Sequence, residues 1–260
     1  MNATSVLFGV RIDALTMDQT VERCMRAVRD REPLEIGVVN AAKLVGMRRD
    51  PRLAEAVTGC DLVLADGQAV VWASRLLRSP LPERVAGIDL FMRLLAAAQS
   101  EGESVYFLGA RADVLDRMLD RVHRRFPDLV VAGHRDGYFT DDEQSAVADA
   151  VRDSGAAMLF LGMTSPKKEI FTAGYGKQTG VRLVHGVGGS FDILAGVTRR
   201  APRAWQRLGL EWLYRLLQEP RRLARRYLTT NAAFVRMTAR EMLRPTPPPG
   251  LGAGPVKRSR

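Results

Sequence analysis

What most restricts the folding of this chain is an alternation that persists over its first 195 residues. Short apolar runs give way repeatedly to stretches whose apolar positions fall at helical spacing. Residues 5–12 (SVLFGVRI) read as a strand. Residues 16–29 follow as a helix, with Thr16 at its N-cap and Val21, Cys24, Met25 and Val28 along one face. Residues 35–40 form a strand of the fully buried kind, with a helix from Ala41. Residues 62–65 are a third strand, followed by Asp66-Gly67 and a helix through Val70, Val71, Trp72 and Leu76. Further strands fall at 104–108, 130–133, 157–161 and 182–185, and further helices at 112–125, 141–153 and 167–176. Apolar strands separated by helices pair as a mainly parallel sheet covered on both faces, so the expected class is α/β.

Beyond Gly196 the pattern changes. Residues 204–217 read as a helix carrying Trp205, Trp212 and Tyr214, and Pro220 interrupts it. A second helix spans 221–243. The tail from Pro245 is rich in Pro and Gly and is expected to be flexible. The expected organisation is therefore an α/β core over 1–196, a basic, aromatic helical appendage over 197–244 and a tail over 245–260.

Charge follows the same division. Residues 199–260 hold 14 Arg and one Lys against Glu211, Glu219 and Glu241, a net of +12, whereas the whole chain nets +10. A near-neutral body thus ends in a cationic segment, which suits a polyanion: nucleic acid, an anionic membrane surface or a phosphorylated ligand. At 46% hydrophobic residues the chain is not a disordered one, and no apolar run approaches the ~20 residues of a membrane helix. The N-terminus lacks a signal-peptide pattern. Two cysteines, Cys24 and Cys60, make neither a zinc motif nor a disulfide framework, and a reducing cytoplasmic compartment is expected.

Open parallel sheets bind ligands beyond the carboxyl ends of their strands, which directs attention to those ends. Asp66 follows LVLA; such a carboxylate can serve as a general base or simply cap the next helix. Residues 185–192, HGVGGSFD, place Gly186, Gly188 and Gly189 after a strand, where backbone amides can meet phosphate or the glycines can simply make a tight turn. Gly109-Ala110-Arg111 is a weaker version. Residues 162–169, GMTSPKKE, offer Lys167 and Lys168 to a diphosphate, or to solvent. His123, His134 and His185 lack metal spacing, and Ser190 is not in a nucleophile elbow. Arg221, Arg222, Arg225 and Arg226 cluster within two helical turns, suited to phosphate or to a dimer face. With the aromatic residues upstream they also suit a membrane interface.

Five segments taken in order resemble a known family: VVNAAKL (38–44), LADGQAVVWASRL (64–76), ERVAGIDL (83–90), HGVGGSFDILAG (185–196) and the long basic segment 199–228. They look like the WecG/TagA/CpsF glycosyltransferases, over roughly residues 4–235. The resemblance implies a Rossmann-like core with a C-terminal appendage that meets the membrane. It implies metal-independent, inverting transfer from a UDP-sugar to a polyprenyl-diphosphate-linked sugar, with no cofactor. Asp66 then matches the general base, Arg84 an active-site arginine and Asn40 the asparagine of the second strand motif. Arg215, Arg222 and Arg225, or their neighbours Arg221 and Arg226, match residues that hold the lipid diphosphate.

The expected donor side comprises Asn40, Gly109, Lys168, Gly186, Gly188, Gly189 and Asp192, with Trp205 and Trp212 at the membrane. Two departures stand out: Val38 replaces a frequent Thr, and Lys168 replaces the usual Gln. The expected partners are the donor, the lipid-linked acceptor and the anionic inner surface of the cytoplasmic membrane. Apolar stripes on the last two helices would serve either pairing of two copies or lipid contact. A nucleic-acid-binding protein is the competing class, weakened by the absence of a helix-turn-helix or RNA-recognition signature. A nicotinamide-dependent oxidoreductase is weakened by the missing GxGxxG.

Overall fold

The structure, a computed structural model, describes residues 3–243, with the side chains at 222, 223, 225 and 226 left aside. The tail expected from residue 245 lies outside the described residues.

A six-stranded parallel sheet runs in the order β4 (Leu62–Ala65), β3 (Leu34–Val39), β8 (Leu183–Gly186), β7 (Met158–Gly162), β5 (Val105–Gly109), β6 (Val131–Arg135). The core is therefore of the Rossmann-like α/β type. Because side chains alternate along a strand, each strand feeds both faces of the sheet. Val105 and Phe107 of β5 point to one face, while Tyr106 and Leu108 point to the other. The first face is covered by α1 (Met17–Asp30), α5 (Gly87–Glu101), α6 (Ala112–Arg125) and the short α9 (Ser190–Leu194). Phe91, Phe107, Phe160 and Phe191 meet there, all fully buried. Each such ring contributes roughly 2–3 kcal/mol of burial. The opposite face takes α2 (Ala41–Met47), α3 (Pro51–Thr58), α4 (Gln68–Leu76), α7 (Gln144–Asp153) and α8 (Lys167–Tyr175).

Helix starts follow local chemistry. Thr16 caps α1 in a capping box with Gln19, and Asp50 caps α3 ahead of Pro51. Neither α3 nor α5 is among the expected elements. Yet α5 buries Leu90, Phe91, Leu94, Leu95 and Ala98, one face of a helix.

Two expectations need correction. The single strand expected over 5–12 is a hairpin of β1 (Thr4–Leu7) and β2 (Val10–Asp13), turned through Phe8 and Gly9 at φ 57° and 78°. Positive φ at both turn positions matches the twist of the flanking strands. Asp13 at its end accepts from the Val63 amide of β4 at 2.9 Å, occupying part of the sheet's exposed edge. The single helix expected over 204–217 is two, α10 (Arg203–Arg207) and α11 (Glu211–Gln218), broken at Gly209. Gly209 has φ 68°, and a Cβ there would come within 2.7 Å of Gln68 and 2.9 Å of Trp72. The break lets the chain pass close over α4.

The last helix, α12 (Pro220–Leu243), begins with its proline, as a missing amide allows. Its second half returns to the core. Phe234 meets the Phe8 ring at 5.5 Å, and Met237 joins the same cluster.

Candidate active site

The carboxyl ends of β3, β4 and β8 lie side by side, and the sequence places polar residues at all three. Asn40 follows β3 and caps α2, its Oδ1 accepting from the Lys43 amide at 3.0 Å. Asp66 follows β4. A Cβ at Gly67 would sit 3.0 Å from that of Asn40, so the missing side chain lets these two strand ends converge.

Asp66 does not cap the helix that follows it, since the N-cap of α4 is Gly67, with no side-chain bond. Its Oδ1 instead accepts from the Gly87 amide at 2.8 Å, the first residue of α5. The carboxylate thus rests at the positive end of a 15-residue helix, a favourable place for its charge. Among the described residues, no group donates to Oδ2.

The same Gly87 is held from its other side. His185, at the end of β8 and fully buried, meets the Gly87 carbonyl through Nε2 at 3.2 Å. A carbonyl only accepts, so Nε2 carries the proton, and among the described residues Nδ1 has no partner. Burial, reinforced by the charges of Lys168 and Lys43, lowers the imidazole to about 4 against the opposing pull of the Gly87 bond. The histidine is therefore neutral at pH 7. Its ordinary value of 6.5 returns when the chain unfolds, so acid favours the unfolded state progressively between pH 6.5 and 4. The parent should lose roughly 2 kcal/mol more stability than His185→Gln between pH 7 and pH 5. Urea unfolding of both proteins at the two pH values measures this; equal losses would remove His185 as the source.

Beside these residues lies a buried ionic group. Lys43 of α2 and Lys168 of α8 both donate to Oε1 of Glu169, at 2.7 and 2.6 Å, and all three side chains are buried. Burial works to raise Glu169, but the two ammonium groups prevail and hold it at about 2. Lys168 is lowered to about 8, first by burial and then by Lys43, while Glu169 and Asp66 oppose the shift. Asp66 therefore supplies a second negative charge near Lys168. Gly186 makes the arrangement possible, because a Cβ there would press on the Lys168 stem at 3.0 Å. Lys167 belongs elsewhere: its Nζ donates to the carbonyls of Gly137 and Phe139, each at 3.0 Å.

The remaining glycines serve close approaches. Gly109 has φ 141°, and a side chain on it would overlap the backbone of Gly162, the end of the neighbouring strand. A side chain on Gly162 would overlap the Phe191 ring. In the 186–190 loop, the amides of Val187 and Gly188 both donate to the Leu161 carbonyl, at 2.9 and 3.1 Å. Gly188 turns at φ 53°, Gly189 opens α9, and the Asp192 carbonyl accepts from Val197 and Thr198.

Arg84 is brought against the C-terminal segment. It pairs with Glu211 at the start of α11, and Arg200 bridges from Glu211 (3.4 Å) to Asp89 of α5 (2.6 and 2.7 Å). Sequence reasoning passes over Glu211, Asp89, Arg200, Lys43, Glu169 and His185 as site residues. A charge in an amphipathic stretch has no special signature until its partners are known, and for Lys43, Asp89 and Glu211 a partner lies over a hundred residues away.

The appendage residues lie on the surface. Trp205 packs edge-on to Tyr214 at 5.7 Å and Trp212 to Tyr227 at 5.9 Å, with Trp212 partly exposed. Arg215 and Arg221 are exposed, and the side chains of Arg222, Arg225 and Arg226 lie outside the described residues. No residue of α10 or α11 is buried.

Comparison with known proteins agrees with this layout. The model of the "Glycosyl transferase WecG/TagA/CpsF family" matches residues 5–247. A Bacillus spizizenii protein named N-acetylglucosaminyldiphosphoundecaprenol N-acetyl-beta-D-mannosaminyltransferase is 36% identical over 210 residues, covering 78% of this chain and 81% of its own length. A parallel α/β core with Asn40 and Asp66 at adjoining strand ends, matched by one family model across nearly its whole length, makes this chain a glycosyltransferase of the WecG/TagA/CpsF family.

Proposed function

We propose that the enzyme moves a sugar from a UDP-sugar to a hydroxyl of a polyprenyl-diphosphate-linked saccharide, without a divalent metal, in the synthesis of a bacterial cell-surface polysaccharide. The observation that carries this reading is Asp66. One carboxylate oxygen is held at the N-terminus of α5, and among the described residues nothing donates to the other, which leaves it for a substrate hydroxyl. Asp66 takes the proton of the acceptor hydroxyl as that oxygen attacks the anomeric carbon and the bond to UDP breaks. Charge growing on the departing diphosphate meets Arg84 and Lys168. The donor lies across Asn40, Gly109, the loop of Gly186, Gly188 and Gly189, and Asp192.

The acceptor's diphosphate meets Arg215, Arg221, Arg222, Arg225 and Arg226. Trp205 and Trp212 rest against the anionic inner surface of the cytoplasmic membrane. In favour of this are the +12 charge of residues 199–260 and the exposure of Leu208, Trp212 and Leu217. Among the described residues no helix is long and apolar enough to cross a membrane. The name of the Bacillus relative makes the GlcNAc-diphosphate lipid the first acceptor to offer and N-acetylmannosamine the first sugar. Lys168 in place of Gln puts a cation into that pocket, so the donor panel must be wider.

The test is a donor screen. Purified protein is incubated with a polyprenyl-diphosphate-GlcNAc or -glucose analogue and a panel of UDP-sugars in EDTA, following UDP release and product mass. Transfer from one donor in EDTA is expected. Transfer that appears only on adding a divalent cation would overturn the metal-free mechanism, and none from any pair by folded protein would overturn the substrate assignment.

A further inference from the structure

We infer that Glu211 is the positioning residue for Arg84, and that the charge chain Arg84–Glu211–Arg200–Asp89 latches α11 over the strand-end site so that transfer proceeds only with α11 docked. The inference rests on the active-site role proposed for Arg84.

The four groups come from four separate parts of the chain. Arg84 lies between α4 and α5, Asp89 in the first turn of α5, Arg200 between α9 and α10, and Glu211 at the first position of α11. The side chains of Arg84, Glu211 and Arg200 are only 14, 23 and 24% exposed, with Asp89, at 40%, the open end of the chain. Arg200 grips Asp89 with two nitrogens, a fork geometry that fixes direction as well as distance. Glu211 divides its two oxygens between Arg84 and Arg200.

Two features make this chain the determinant of docking. First, α10 and α11 bury no residue of their own, so apolar packing does little to hold them against the core. The close approach of Gly209 to Gln68 and Trp72 sets where α11 begins, and the ionic chain then fixes its orientation. Second, Asp89 lies two residues beyond Gly87, whose amide holds Asp66. The first turn of α5 therefore carries both the tie to Asp66 and the tie to α11. Among the described residues Glu211 is the only ion-pair partner of Arg84, so undocking α11 returns Arg84 to its free rotamers.

The test uses the full chain and the variants Glu211→Gln and Asp89→Asn, with two readouts. Hydrogen exchange over residues 203–218 should quicken in both variants. In the parent it should also quicken as salt is raised, and in Glu211→Gln it should respond little, which a purely steric contact would not produce. In the transfer assay Glu211→Gln should lower kcat about 10- to 100-fold, the scale of a misplaced active-site group, with donor KM nearly unchanged. Unchanged exchange and kcat would overturn the latch. Faster exchange with parental kcat would overturn the positioning role, and a raised kcat would make Glu211 a blocker of Arg84 instead. The exchange measurement needs no turnover, so it decides the latch even if the substrate assignment fails.

Discussion

Asp66→Asn is expected to fold as the parent does and to transfer sugar about 10²–10⁴ times more slowly, the usual loss when a general base is removed. The substitution isolates the proton-accepting role because asparagine keeps an oxygen where Oδ1 stands. The 2.8 Å bond from the Gly87 amide therefore survives, and with it the start of α5. What disappears is the negative charge, and with it the ability to take a proton. Thermal unfolding should show little change, while kcat for UDP release falls. If Asp66→Asn turns over as fast as the parent, Asp66 is a helix-capping residue and the base lies elsewhere.

Glu169→Gln should be the most destabilising of the single changes considered. It leaves Lys43 and Lys168 facing one another in the interior without the carboxylate that both share. Removing one partner of a buried ionic group costs about 3–5 kcal/mol, because the remaining charges stay desolvated. In a chain of this size the midpoint should drop by roughly 6–20 °C. The loss should shrink in alkaline buffer, since Lys168, already lowered to about 8 by burial and by Lys43, sheds its proton there. Changing Lys43 and Lys168 to Met together with Glu169→Gln should recover much of the stability, as apolar replacement of buried ionic groups does elsewhere. Equal stability of Glu169→Gln and the parent at pH 7 would show that the group is solvated.

Much of the core is legible in the sequence because its signals are local. Four-residue runs such as LVLA end where Asp66 begins, and the spacing along 112–125 matches α6 residue for residue. The hairpin is less legible: phenylalanine is a poor turn residue, so only Gly9 marks the bend within SVLFGVRI, and Phe8 owes its conformation to packing on Phe234. The break at Gly209 is obscured in the same way, since it reflects the proximity of Trp72. Among site residues, Asp66 and Asn40 are visible because strand ends are where ligands bind. Gly186 is visible too, but it leaves room for a lysine stem, something no turn pattern encodes. Glu169 and Glu211 look like ordinary surface acids of amphipathic helices until folding sets each between two cations.

The seating of Phe234 and Met237 on the first hairpin governs the order in which the protein can be completed. A two-stranded hairpin is marginal alone, and part of the apolar cover for this one is encoded at the far end of the chain. During synthesis the residues made first must wait, with Phe8 uncovered, until α12 has left the ribosome. Contacts so distant in sequence form slowly, so closure of the two chain ends belongs to the last stage of folding. A version cut off before α12 would not be a core freed of its appendage; it would be a core with an open seam.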